Sequence, residues 1–95
     1  MAILHLLRSS PFASSQIDNM IATLAHDDCI ALVDDGCYLL HHEKLSTCTA
    51  HINKPIVVIK EHAKARQIKS KEDITLISYG ELVTLFAHAD SSITW

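Results

Sequence analysis

The nine residues Cys29-Ile30-Ala31-Leu32-Val33-Asp34-Asp35-Gly36-Cys37 decide how this chain is read. Five consecutive apolar side chains, with no polar alternation, describe a strand covered on both faces; the Asp-Asp-Gly that follows describes a turn. Three further runs share the pattern: Ala2 to Leu7, Ile56 to Ile59 behind Pro55, and Ile74 to Ser78. Strands buried on both faces belong to a mainly parallel sheet whose connections are helical, so the expected class is α/β.

The intervening segments have helical period. Ile17, Met20, Ile21 and Leu24 form one stripe, predicting a helix from a capping box at Ser15 and Asp18 to about Ala25. A second helix is expected from about Cys37, capped by Asp34 or Asp35 and supported by Tyr38, Leu39, Leu40 and Leu45. Poor propensity should loosen it over Ser46 to Thr49. Glu61 to Arg66 reads as one or two helical turns. Glu81 to His88 reads as a last helix burying Leu82, Val83, Leu85 and Phe86, before a polar tail to Trp95.

The composition fits one domain spanning residues 1–95: 95 residues, 48% hydrophobic, with only 2 Gly and 2 Pro. A core of this size is marginal and gains from association. A net charge of -3 and a pI near 6.1 oppose a dedicated polyanion-binding module. No apolar run approaches the roughly 20 residues of a membrane span, and Ala2 to Leu7 is too short for a signal-peptide core. A cytoplasmic protein without membrane binding is therefore expected. Three cysteines cannot all pair with one another, so reduced thiols are the expectation.

Among those thiols, Cys29 opens an apolar strand and reads as core, and Cys48 has no local feature that would activate it. Cys37 is the thiol candidate, because it follows a strand's C-terminal end, where open α/β sheets bind ligands. A helix N-terminus there would favour its thiolate, while Asp34 and Asp35 would oppose it. Cys37, His41, Cys48 and His51 have zinc-ligand identities, but no Cys-x-x-Cys knuckle joins them, and no metal is expected. With no Gly-rich phosphate loop and no G-x-S-x-G, no cofactor is expected either. His5 reads as a satisfied core residue; His26, His62 and His88 read as helix-end residues that meet carbonyls. Lys60, Lys64, Arg66, Lys69 and Lys71 form the one basic segment, which lacks interleaved aromatics and reads as a solvated helix and loop.

Leu4-His5 followed by Arg8-Ser9-Ser10-Pro11, the strand and turn Ile30 to Gly36, and the closing block Ile77 to Trp95 together resemble the TusB/DsrH family over nearly the whole chain. Within that block, Ile77-Ser78-Tyr79-Gly80-Glu81-Leu82-Val83 and the terminal Ser92-Ile93-Thr94-Trp95 carry the likeness. Glu61 to Ile68 resembles the family's short helix ending in Ala-Arg-Gly; Ala65 and Arg66 match, and Gln67 stands in place of Gly. The resemblance implies a DsrEFH-like fold, a small three-layer α/β/α domain with a mainly parallel sheet of four or five strands.

It also implies a subunit of a cytoplasmic sulfurtransferase complex, a heterohexamer with TusC-like and TusD-like chains. That complex relays persulfide sulfur between carrier proteins towards thiolation of the tRNA wobble uridine, so tRNA is reached only indirectly. The principal sulfur-accepting cysteine then lies on the TusD-like chain, which leaves this one an architectural, non-catalytic subunit. Some DsrH-type relatives carry a cysteine in the first helix, where this chain has Met20, and that difference favours the tRNA branch. Phe12 and Trp95 become candidate interface anchors, although Trp95 equally suits closure of its own core. The alternatives are a DsrH-like thiol carrier in dissimilatory sulfur oxidation, acting through Cys37, and a small metal-binding protein.

Overall fold

Four β-branched residues in succession, Ile56 to Ile59, leave neither side of their strand fit to meet water, and all four are buried in the middle of a sheet. The computed structural model describes residues 2–12, 15–71 and 73–95. Strands β1 (Ile3–Leu7), β2 (Cys29–Leu32), β3 (Ile56–Ile59), β4 (Ile74–Ile77) and β5 (Ser91–Thr94) lie in the order β4-β3-β2-β1-β5, every pair parallel. Leu4 stands opposite Cys29 and Leu7 opposite Leu32; on β1's other side Ile3 stands opposite Ser91 and Leu6 opposite Thr94.

Each face has its own core. Leu7, Ile30, Leu32, Ile56, Val58 and Ile74 meet helices α1 (Gln16–Thr23) and α2 (Glu43–His51) through Ile17, Met20, Leu45 and Cys48. Leu4, Leu6, Ala31, Val33, Val57, Ile59 and Ile77 meet Leu82 of α4 (Tyr79–His88). The result is the three-layer α/β/α arrangement, with α3 (Lys60–Ala65) contributing Ala63 to the first core.

Several local expectations are corrected. The polar tail is a fifth strand. Its residues are all exposed, so no apolar pattern announced it, and it is held by the edge that β1 offers. The Trp95 amide donates to the Leu6 carbonyl at 2.8 Å, and the amides of Arg8 and Ser9 donate to the Trp95 carbonyl at 3.0 and 3.2 Å. The Ser15 side chain makes no capping bond, and Asp18 pairs with Lys44 instead; α1 then stops at Thr23. The reciprocal box forms at α4, between Ser78 and Glu81, and this moves the helix start to Tyr79.

The segment after β2 is a 3₁₀ turn, Asp34–Leu39, without a side-chain cap, and Ser46 to Thr49 lie inside α2 rather than in a connection. Burial of Leu45 and Cys48 on one face outweighs their neighbours' weak propensity. On α4 the inward side chains are Leu82 and Leu85, followed by Ala89 just past the helix end. Val83 and Phe86, expected in the core, are 55% and 41% exposed, because they lie about a quarter-turn round the helix beside exposed Tyr79.

Helix α3 ends in a Schellman motif: the Ile68 amide donates to the Ala63 carbonyl and the Gln67 amide to the Lys64 carbonyl, both at 3.0 Å. That geometry puts Gln67 at φ 55°, in the left-handed region where Gly is favoured. Gln67→Gly is therefore expected to stabilise the fold by about 1 kcal/mol, raising Tm by about 4–8 °C in a thermal melt. An unchanged or lower Tm would count against strain at this turn.

Candidate functional site

Ligands of parallel α/β sheets bind beyond the carboxyl ends of the strands, and here that rim is formed by the ends of β1, β2 and β5 with one side of α3. Its centre is the Asp34-Asp35-Gly36 turn. A Cβ on Gly36 would fall 1.7 Å from the Leu7 carbonyl oxygen, so only glycine lets the turn press against the end of β1. Val33 donates to the same Leu7 carbonyl at 3.0 Å, and Asp34 takes a left-handed φ of 48°.

The turn's carboxylates do not cap a helix. Arg8 donates through Nε to Asp34 at 3.1 Å, and Arg66 donates to Asp35 at 3.0 Å. Arg66 also donates to the His62 carbonyl, and the Asp34 amide donates to His62 Nδ1. A cleft of about 560 Å³ lies among Arg8, Ser9, Asp35, Arg66 and Trp95. Beside it a cavity of about 300 Å³ has Leu6, Val33 and Leu82 as its floor and Tyr79 and Phe86 as a partly exposed wall. Two guanidinium groups balance two carboxylates, so this rim is built for polar recognition and not for concentrating an anion.

Cys37, the thiol candidate at this rim, is fully buried, with its Sγ directed at the Leu32 carbonyl. Burial pushes its pKa up to about 11, with Arg66 opposing and Asp34 adding to the rise. About one molecule in ten thousand would carry the thiolate at pH 7. Burial also raises Cys48. Cys29 is half-buried where core was expected, and it lines a cavity of about 180 Å³ with Lys54 and His88.

The structure does not gather the four zinc-type residues. Cys37 and Cys48 are core, His41 donates to the Lys69 carbonyl at 2.7 Å, and His51 donates to the Leu24 carbonyl at 3.0 Å. His26 and His88 meet the carbonyls of His51 and Thr84 as expected, while His62 accepts an amide instead.

A second polar cluster, which sequence reading missed, lies around β1, one strand in from the β5 edge. Asp28 and His5 are both fully buried. Asp28 accepts from the amides of Ile3 and Ala25 at 3.0 and 2.9 Å and from His5 Nε2 at 2.8 Å. Trp95 Nε1 donates to His5 Nδ1 at 3.1 Å, and the two rings are 21° from parallel. The indole donor makes Nδ1 an acceptor, so the ring carries its proton on Nε2 and donates it as a hydrogen bond to the carboxylate. Burial alone would push the Asp28 carboxyl up; the Ala25 amide, His5 and the Ile3 amide outweigh it and hold the group below the ordinary 3.8. The available signal was a histidine in an apolar strand, which must find a partner when buried. Trp95 is thereby tied to its own core, whereas Phe12 is 85% exposed and touches Tyr38 at a ring-centroid distance of 5.9 Å.

A covered five-stranded parallel sheet with a polar rim, its one thiol buried beneath it, defines a small α/β domain of the doubly covered parallel-sheet class. The sequence matches the family model described as "DsrH like protein" over residues 9–92, and the chain belongs to that family of sulfur-relay-related proteins. No curated protein matches the sequence. The crystal structure of the YchN protein from E. coli is similar, with a TM-score of 0.78 at 17% identity over 100% of this chain and 99% of that one. The solution structure of Tm0979 from Thermotoga maritima has a TM-score of 0.63 at 24% identity, covering 92% of each chain. At these identities the likeness is one of fold.

Two measurements check this chemistry. With a disulfide reagent at pH 8, the native chain should react promptly at Cys29 alone and at all three cysteines after denaturation; a fast native reaction at Cys37 would refute its burial. Because the folded pKa of Asp28 is depressed, its stabilisation is complete above the ordinary value and is lost as pH falls through the folded one. Unfolding followed by the fluorescence of Trp95, the sole indole, should therefore show Tm dropping below about pH 4. Asp28→Asn should cost about 3 kcal/mol at pH 7 and flatten that acid limb; parallel acid limbs would move the effect to another carboxylate.

Proposed function

We propose that this chain is a TusB-like, mainly architectural subunit of a cytoplasmic sulfurtransferase complex. Its companions are TusC-like and TusD-like chains in a heterohexamer that relays persulfide sulfur through carrier proteins towards thiolation of the tRNA wobble uridine. The observation that carries this reading is the state of Cys37. Persulfide transfer requires an accessible, partly ionised thiol, and the one cysteine at the ligand-binding rim is buried with a pKa of about 11. A relay protein without such a thiol at its rim contributes surface there, and the half-exposed Tyr79, Val83 and Phe86 beside the rim supply apolar area for a sister chain. Phe12 is the other exposed anchor for that role; Trp95, tied inward by His5, serves the fold first.

A second reading, a DsrH-like thiol carrier in dissimilatory sulfur oxidation, is supported only by Cys29, the thiol with surface to offer.

Co-expression with TusC-like and TusD-like chains should give a stable complex, and Cys37→Ser should leave sulfur transfer nearly intact. A chain that stays monomeric beside its companions at micromolar concentration would defeat the proposal. So would a loss of transfer beyond about tenfold with assembly unchanged. Mass spectrometry after exposure to a persulfide donor separates the two readings: one added sulfur on this chain, under conditions that load the TusD-like chain, selects the carrier.

A further inference from the structure

The lysines of the basic segment are absorbed neither by the rim nor by the sheet core. Lys60 to Lys71 carries five basic residues against one acidic, whereas the rest of the chain carries three against ten. Arg66 turns to Asp35 at the rim. Lys60, Lys64 and Lys69 are exposed and, among the described residues, have no carboxylate within salt-bridge distance; Lys60 feels Glu81 only at longer range. Lys60 and Lys64 are one turn apart on the same side of α3, and the left-handed turn at Gln67 brings Lys69 back towards them.

These lysines border a groove of about 700 Å³ whose apolar surface comes from Ala63, Ile68 and Leu76. Leu76 lies on β4, the strand at the end of the sheet, and is 49% exposed. A concave aliphatic surface framed by three ammonium groups is matched by a helix with apolar residues at three- and four-residue spacing and carboxylates on its flanks. An RNA backbone is disfavoured on the same observations: the groove has no aromatic to stack a base, and the acidic remainder of the chain repels phosphate.

We propose that the groove between α3 and β4 docks an acidic amphipathic helix of a partner protein, with apolar side chains on Ile68 and Leu76 and carboxylates facing Lys60, Lys64 and Lys69. This surface is distinct from the rim and stands whether or not the chain serves a sulfur relay.

The test titrates the full chain into a fluorescein-labelled helical peptide of Glu and Leu, the Leu residues forming one stripe. Three comparisons accompany it: the same peptide with Leu→Ser, an oligouridylate of equal length, and the chain's own sedimentation over the same concentrations. The Glu/Leu peptide should bind in the micromolar range, weaken with added salt, and shift backbone amide resonances of residues 60–70 and Leu76. Lys60→Glu with Lys64→Glu should weaken binding about tenfold or more, and Leu76→Ser measurably, with Tm retained because these side chains are exposed. Equal affinity for the Leu→Ser peptide would reduce the site to unspecific charge. Tighter binding of oligouridylate would make it an RNA site, and self-association that competes with the peptide would make its occupant a second copy. Each of these, like an absence of binding or resonance shifts confined to other residues, overturns the proposal.

Discussion

A single buried carboxylate organises the edge on which the rest of the sheet depends. Asp28 gathers the amides of Ile3 and Ala25 and the ring of His5, joining the start of β1, the loop behind α1 and the approach to β2. His5 extends this chain of donors to Trp95, beyond the last strand. An isolated ion in that position would cost several kcal/mol, and three donors aimed at it make it tolerable. The same bonds place β5, whose four residues are exposed and bury little of their own, so the outer strand is located by polar geometry at its end as much as by its ladder.

At the carboxyl rim, packing and ionisation work against each other. The close approach of Gly36 to β1 draws the next residue under the turn, and Cys37 becomes part of the core. A thiol so placed is protected and unreactive for one reason, since desolvation both hides it and disfavours its anion. The polar groups left at the rim, Arg8 with Asp34 and Arg66 with Asp35, are paired with each other and offer directional contacts without a nucleophile. In this member of the DsrH-like family the rim thus presents paired charges at its surface and keeps its thiol beneath them.

The two faces of the sheet are covered unequally. On one side α1, α2 and the 3₁₀ turn close a continuous core; on the other α4 reaches the sheet through Leu82, Leu85 and Ala89 while Tyr79, Val83 and Phe86 remain outside. A small domain has limited apolar area to bury within itself, and surface of this kind is consistent with stability gained by association. The resemblance to a family helix ending in Gly also acquires a physical meaning, because Gln67 occupies the left-handed position that glycine would take without strain.

The primary sequence by itself determined the fold class, the first four strands and the turn after β2, because largely apolar runs without clean polar alternation and Asp-Asp-Gly encode local requirements that do not depend on distant residues. It also exposed the weakness of Cys37 as a reactive thiol, through the two carboxylates beside it. Tertiary structure alone decided the fifth strand, the continuity of α2 through Ser46 to Thr49, the outward position of Val83 and Phe86, and the joining of residues 5, 28 and 95. Each of these rests on a partner far along the chain: an open strand edge, a receiving core, or a buried ion that needs donors. Spacing within one segment cannot register such partners.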